Sequence, residues 1–223
     1  MTPRFAQHVD PIFMRVFDLC ERIEARADPS AEKERRIIND ELRRAEAQLR
    51  SSGDEWRLAK YALVSWIDEV LLKAHHWSGH AWWHDHLLEW EHFKTQESNQ
   101  IYYVRANEAA QLQGADDALE TYYVCFKLGF LGLYRPEERN KEDYDLVLAQ
   151  YRLPPTPDEW ANGIADVISQ RRQEKKQALE DLKPDRTIDT ARPLWGAGHL
   201  LWPWLVGLLL AGMSSVVIYQ LRS

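Results

Sequence analysis

The strongest single constraint on this chain is near its end. From Leu194 to Leu221 the sequence LWGAGHLLWPWLVGLLLAGMSSVVIYQL contains no Asp, Glu, Lys or Arg, in a protein of which 28% is charged. Crossing a bilayer core of ~30 Å takes ~20 apolar residues, so this run is long enough to span. A long buried core helix is the alternative, and uncharged length beyond ~18 residues favours the span. Trp195, Trp202 and Trp204 at its start and Tyr219 at its end stand where amphipathic rings settle at headgroup level. Pro203 lies near the start, where a helix tolerates proline best. His199 is expected to be interfacial. Arg171, Arg172, Lys175, Lys176, Lys183, Arg186 and Arg192 precede the run and only Arg222 follows it, so positive-inside bias keeps the body cytoplasmic. Gly207 and Ala211 form a small-x-x-x-small pair that permits a homodimer through the span.

The remainder reads as a soluble, acidic body. Its 28 Lys+Arg against 35 Asp+Glu give a net charge of −7, which excludes nucleic-acid binding by broad phosphate attraction. Cys20 and Cys125 each sit among apolar residues at helical spacing, as buried reduced thiols do. The start, MTPRFAQHVDP, has no charged region followed by an apolar run, so no cleavable secretion signal is expected.

Helical periodicity runs through the body. Ile12, Phe13, Val16, Phe17, Cys20 and Ile23 follow the i, i+3, i+4, i+7 template, and Asp28-Pro29 ends that helix. Ile37, Ile38, Leu42, Ala45 and Leu49 mark a second helix. Ser52-Gly53-Asp54-Glu55 has the form of a capping box opening a third, which contains YALVSWIDEVLLKAHHW. WWHDHLLEWEHF and IYYVRANEAAQL predict two shorter helices. DDALETYYVCFKLGF, apolar on most sides, predicts the central one. Thr156-Pro157-Asp158-Glu159 starts a last helix running toward Asp181. No sustained period-two alternation argues for a sheet. The expected organisation is all-α: a helical domain over 1–155, an amphipathic helix and linker over 156–193, the span over 194–221 and a tail at 222–223.

The chemistry on offer is sparse. Adjacent carboxylates, Asp68 and Glu69, interrupt the apolar third helix. Tyr61, Val64, Asp68, Leu71 and Leu72 share one face, which makes Asp68 the anomalous residue; Glu69 falls elsewhere, four residues before Lys73, as in a weak exposed ion pair. Asp68 is expected to be partly buried and held by Arg135 or a backbone N–H, with Glu69 more exposed and facing a partner. LGFLGLYRPEE, from Leu128 to Glu138, reads as a tight joint. There Gly129 can end a helix in left-handed geometry, Gly132 allows close backbone approach, and Phe130, Leu133 and Tyr134 pack. Arg135 caps the joint or pairs with a carboxylate such as Asp68 or Glu69. His75, His76, His80, His84, His86 and His92 make a tail-anchored metallohydrolase chemically imaginable, but HAWWH lacks the glutamate of a zinc-protease helix. No phosphate loop, dinucleotide fingerprint or nucleophile elbow is present. Neither a catalytic residue nor a metal or cofactor is expected.

Two blocks in order, YALVSWIDEVLL and ALETYYVCFKLGFLGLYR, with WEHFKTQESNQIYYV between them and the apolar run behind them, resemble the DotU/TssL (IcmH) proteins of type VI secretion systems. The resemblance implies two small packed helical bundles in the cytoplasm plus one C-terminal inner-membrane helix. It implies no catalysis. The partners it implies are an IcmF/TssM-like inner-membrane protein and baseplate components on the cytoplasmic side, with a cleft involving Asp68, Glu69, Gly129, Gly132, Tyr134 and Arg135. A membrane-tethered adaptor outside secretion is the competing reading with the same fold. The chain departs from the family pattern at His75-His76-Trp77-Ser78-Gly79, where a Pro-Trp-Gly-like turn is expected, and at Leu133, in place of a polar or basic residue. Ending at Ser223, it is expected to lack the periplasmic peptidoglycan-binding extension of some relatives.

Overall fold

A computed structural model describes residues 1–181, and every regular element among them is helical. In chain order these are α1 (Pro3–Glu24), α2 (Ala31–Gln48), a 3-10 turn at Arg50–Ser52, α3 (Asp54–Leu72), α4 (His80–His84), α5 (Leu88–Phe93), α6 (Ser98–Gln111) and α7 (Asp116–Lys127). A second 3-10 turn (Gly132–Tyr134), α8 (Pro136–Arg139), α9 (Tyr144–Gln150) and α10 (Pro157–Asp181) follow. The expected span Leu194–Leu221, with Trp195, Trp202, Trp204 and Tyr219, lies outside the described residues, as do most of the linker and the tail at 222–223. Among the described residues no helix is long and apolar enough to cross a membrane.

Three helix starts carry side-chain caps, and at α2 Ser30 Oγ accepts from Lys33 N at 3.5 Å. Thr2 accepts a hydrogen bond from Phe5 N, and Pro3 fills the first turn, so α1 begins nine residues before Ile12, the first residue of the expected stripe. Thr156 Oγ1 accepts from Glu159 N at 3.2 Å and opens α10 as its capping pattern predicts. Ser52 does not act this way. The N-cap of α3 is Gly53, at φ +49°, with no side-chain cap, because Ser52 is already the last residue of the 3-10 turn. Asp54 and Glu55 then supply negative charge to the first turn of α3.

The centre of the molecule is α3 and not α7. Thirteen of the nineteen residues of α3 are buried, because α4, α5, α6 and α7 all pack on it. Rings of α1 reach it too, Phe5 against Trp56 and Phe13 against Trp66 at 5.1 Å. α7 keeps Lys127 exposed and Tyr123 and Val124 only half-covered, so its apolar surface is one flank of the core. The helices do fall into an α1–α2 pair and an α6–α7 pair, but α3 is a wall of both and one hydrophobic cluster runs through them.

Aromatic packing closes the second side. Tyr102 and Phe130 stack at 3.8 Å, and Trp160 of α10 meets Tyr103 edge-on at 5.2 Å and Phe126 at 4.6 Å. Arg171 donates to Asp116 and to the carbonyls of Ala109 and Ala110, satisfying the end of α6. One compact unit runs from Met1 to Glu174.

Burial on this scale sets a contrast that denaturation can read. Leu63 on α3 is fully buried whereas Leu146 on α9 is 75% exposed. Leu63→Ala is expected to lower unfolding stability by about 2–5 kcal/mol and Leu146→Ala by less than about 0.5 kcal/mol. Urea titration of the full-length chain in detergent, followed by helix circular dichroism, measures both.

Candidate functional site

The site is built at the C-terminal end of α3, where the chain places two carboxylates side by side. Successive helical residues point ~100° apart, so Asp68 and Glu69 reach different loops. Asp68, 3% exposed, accepts from Trp83 Nε1 at 3.0 Å, Leu88 N at 3.1 Å and Glu89 N at 2.9 Å. Those two amides are orphan donors at the start of α5. The capture explains why WWHDHLLEWEHF is not one helix: it breaks between His84 and Leu88, and Asp68 takes the amides at the restart.

Glu69 is buried as well, at 7% exposure, contrary to the expectation of a partner-facing side chain. With α4 to α7 packed on α3, Glu69 is turned toward the joint after α7 and not toward solvent. Its Oε1 accepts from Leu131 N at 2.9 Å and its Oε2 from Gly132 N at 3.0 Å. Lys73 pairs with Glu69 at 2.8 Å and donates also to the Gly129 carbonyl at 2.7 Å, so the ion pair is half inside the fold. Arg135 touches neither acid: its Nε donates to the Gly132 carbonyl at 3.1 Å.

The joint itself follows from its glycines. Phe130 N bonds Cys125 O and Gly129 N bonds Phe126 O, with Gly129 at φ +101°, which is a Schellman stop for α7. Gly132 sits at φ +50°, and a Cβ there would lie 2.8 Å from the Asn99 carbonyl oxygen, so the amide that meets Glu69 needs glycine's freedom. Tyr134, 1% exposed, donates to the Pro154 carbonyl at 2.7 Å. Of the six expected cleft residues, Asp68, Glu69, Gly132 and Tyr134 thus work from inside, while Arg135 is half-buried and Gly129 reaches the surface.

Gly129 is one wall of an open cleft of about 310 Å³. Cys20, Ile23 and Glu24 of α1 form a second wall, and Val70, Lys73 and Ala74 at the end of α3 form the third. The thiols are free, Cys125 buried and Cys20 half-buried, and burial raises both pKa values, so neither is an activated nucleophile. The contribution of α1 was not foreseen, because Cys20 and Ile23 look like ordinary stripe positions.

Another buried acid, Glu89 on α5, belongs to the same arrangement and carries no sequence pattern of its own. At 1% exposure it accepts from Tyr61 Oη, Thr95 Oγ1, Glu97 N and Ser98 N, and so caps α6. The available signal was its place inside the apolar LLEWEHF run. His75 and His80 meet with ring centroids 4.9 Å apart, and the other histidines disperse. His80 Nε2 bonds the Leu72 carbonyl, His86 stacks on Trp82 at 4.0 Å, His84 meets Asp85 at the surface, His92 bonds Asn39, and His76 lines the cleft. Among the described residues no group of three or more His, Cys, Asp or Glu side chains could hold a metal ion.

The family described as "Type VI secretion system protein DotU" matches residues 5–222, nearly the whole chain. The chain belongs to the DotU family. The cytoplasmic domain of TssL from Acinetobacter baumannii has a similar fold, with TM-score 0.56 and 21% identity, over 76% of this chain and 99% of that one. Comparison with curated proteins gave no match. The DotU match takes in the acidic pair, the glycine joint and the apolar run alike.

Two ionisable groups, Asp68 buried and His92 half-buried, give the domain opposed pH responses. Burial raises Asp68 from 3.8 to about 7, against the pull of its three N–H donors. From about 4 to about 7 the folded chain therefore holds an extra proton at Asp68, and stability falls as pH rises. Burial lowers His92 from 6.5 to about 4, so its contribution rises with pH across that interval. Asp68→Asn removes the first slope and leaves the second. Urea midpoints from pH 4.5 to 7.5 are expected to fall with pH for the parent relative to this variant.

Removing Glu69 strands the amides of Leu131 and Gly132. Glu69→Ala is expected to cost about 2–4 kcal/mol, and Gly132→Ala to lower the thermal midpoint through strain at the same joint. Differential scanning calorimetry measures both, and an unchanged midpoint in either variant would contradict the geometry.

Proposed function

We propose that this DotU-family chain is a non-catalytic scaffold of the type VI secretion membrane complex. The Leu194–Leu221 run anchors it in the bacterial inner membrane, with Trp195, Trp202, Trp204 and Tyr219 at the interfaces, residues 1 to ~190 in the cytoplasm and Arg222-Ser223 beyond the bilayer. Its partners are an IcmF/TssM-like protein within the membrane and baseplate components on the cytoplasmic side. Self-association through Gly207 and Ala211 belongs to the same arrangement. No cofactor is required.

The observation that carries this reading is the direction in which the acids point. Asp68, Glu69 and Glu89 are spent on backbone N–H groups, which fixes the loops around the cleft. A rigid joint beside an open cleft suits docking, since recognition residues sit well on loops held by a scaffold. Asp68, Glu69, Gly132 and Tyr134 then act as positioning residues, with Gly129 and Arg135 at the docking edge.

Affinity purification of the tagged full-length chain from detergent-solubilised membranes is the test. A large multi-span inner-membrane protein and baseplate proteins are expected to co-purify, and deletion of residues 194–223 is expected to release the chain from the membrane and remove the multi-span partner. A full-length chain recovered from lysate without detergent and without those partners would refute the proposal.

A further inference from the structure

The cleft continues outward as a groove that the fold's own packing does not fill. On α1, Met14 is 65% and Phe17 40% exposed, and Leu128 at the end of α7 is 37% exposed. One buried ring joins Phe17 to Leu128: Phe17 lies edge-on to Trp66 at 5.8 Å, and Trp66 Nε1 donates to the Leu128 carbonyl at 3.2 Å. From Met14 to Ile23 the α1 wall runs about 13.5 Å at 1.5 Å per residue, the length of about two and a half turns of a second helix.

The rim of this groove has a sign. Glu21 and Glu24 are exposed on the α1 edge and form no ion pair among the described residues, whereas Asp18 is held by Arg15 and Arg22. Across the cleft, Lys73 is already neutralised by Glu69. Exposed Lys127, beside Leu128, confines the negative edge to α1. A helix seated here would bury apolar side chains along Phe17, Leu128 and the cleft, and would meet two unpaired carboxylates along one side only.

Resting on the scaffold reading above, we propose that this groove receives one amphipathic helix of a partner protein, apolar at i, i+3 or i+4 and i+7, with Lys or Arg along the edge facing Glu21 and Glu24. Helix-in-groove docking of this kind takes its affinity from the apolar anchors and its orientation from the flanking charges. An acidic segment would meet like charge on α1, and an extended strand would find no free sheet edge among the described residues.

A photo-crosslinking amino acid at Met14 of the full-length chain, in native membranes that contain the secretion system, reports the occupant after sequencing of the cross-linked peptide. A control probe at Leu146 sits on exposed α9. The expected product is a peptide with the stated apolar spacing and at least one flanking cation, obtained from Met14 and not from Leu146. Glu21→Lys with Glu24→Lys is expected to lower its yield about tenfold without moving the thermal midpoint, and reversing the partner's cations is expected to restore it. Cross-linking to an acidic segment, to a second copy of this chain or to lipid alone would overturn the groove assignment. So would an unchanged yield in the double variant while the multi-span and baseplate partners still co-purify, an outcome that leaves the scaffold reading intact. Failure of those partners to co-purify with the parent chain is the separate result that sinks the scaffold reading.

Discussion

Burying a carboxylate in a helical core is unfavourable unless donors replace the water it loses. In this domain the replacement donors are backbone amides of the loops. Asp68 draws in the start of α5, Glu69 draws in the joint after α7, and Glu89, itself on α5, draws in the start of α6. Three segments that would otherwise expose orphan N–H groups are thereby tied to the central helix or to its neighbour. Each bond satisfies two needs at once, because the amides lack helical partners and the acids lack solvent.

The order of the chain makes this economical. Asp68 and Glu69 are adjacent, so one turn of α3 fixes loops that are far apart in sequence and on different sides of the helix. Lys73, one turn later, completes the arrangement by bridging Glu69 and the Gly129 carbonyl at the cleft edge. The cleft wall is therefore backed by charge-assisted hydrogen bonds and not by loop packing alone. A surface held in this way changes little on binding, which suits a part that joins other parts.

Much of the architecture was legible. The stripe of α1, the proline-led cap of α10, the glycine stop of α7 and the all-helical class follow from spacing and turn chemistry. What escaped the sequence depends on tertiary cover. Glu69 has the i, i+4 relation to Lys73 that marks an exposed pair, and only the layer of α4 to α7 around α3 turns that face inward. The α4–α5 break is likewise invisible locally, since nothing in WWHDHLLEWEHF reveals that a carboxylate from another helix takes its amides. Ser52 satisfied the capping pattern but was consumed by a 3-10 turn, and Glu89 was hidden because a lone glutamate in an apolar run has no pattern of its own.

The account turns on whether the inward acids hold these loops in place. Native-state hydrogen exchange at the amides of Leu88, Glu89, Leu131 and Gly132 reads this directly. The expected result is protection close to that of the α3 interior, with exchange only through global unfolding, and selective loss of protection at Leu131 and Gly132 in Glu69→Ala. Exchange of all four amides at ordinary loop rates in the parent chain would contradict it.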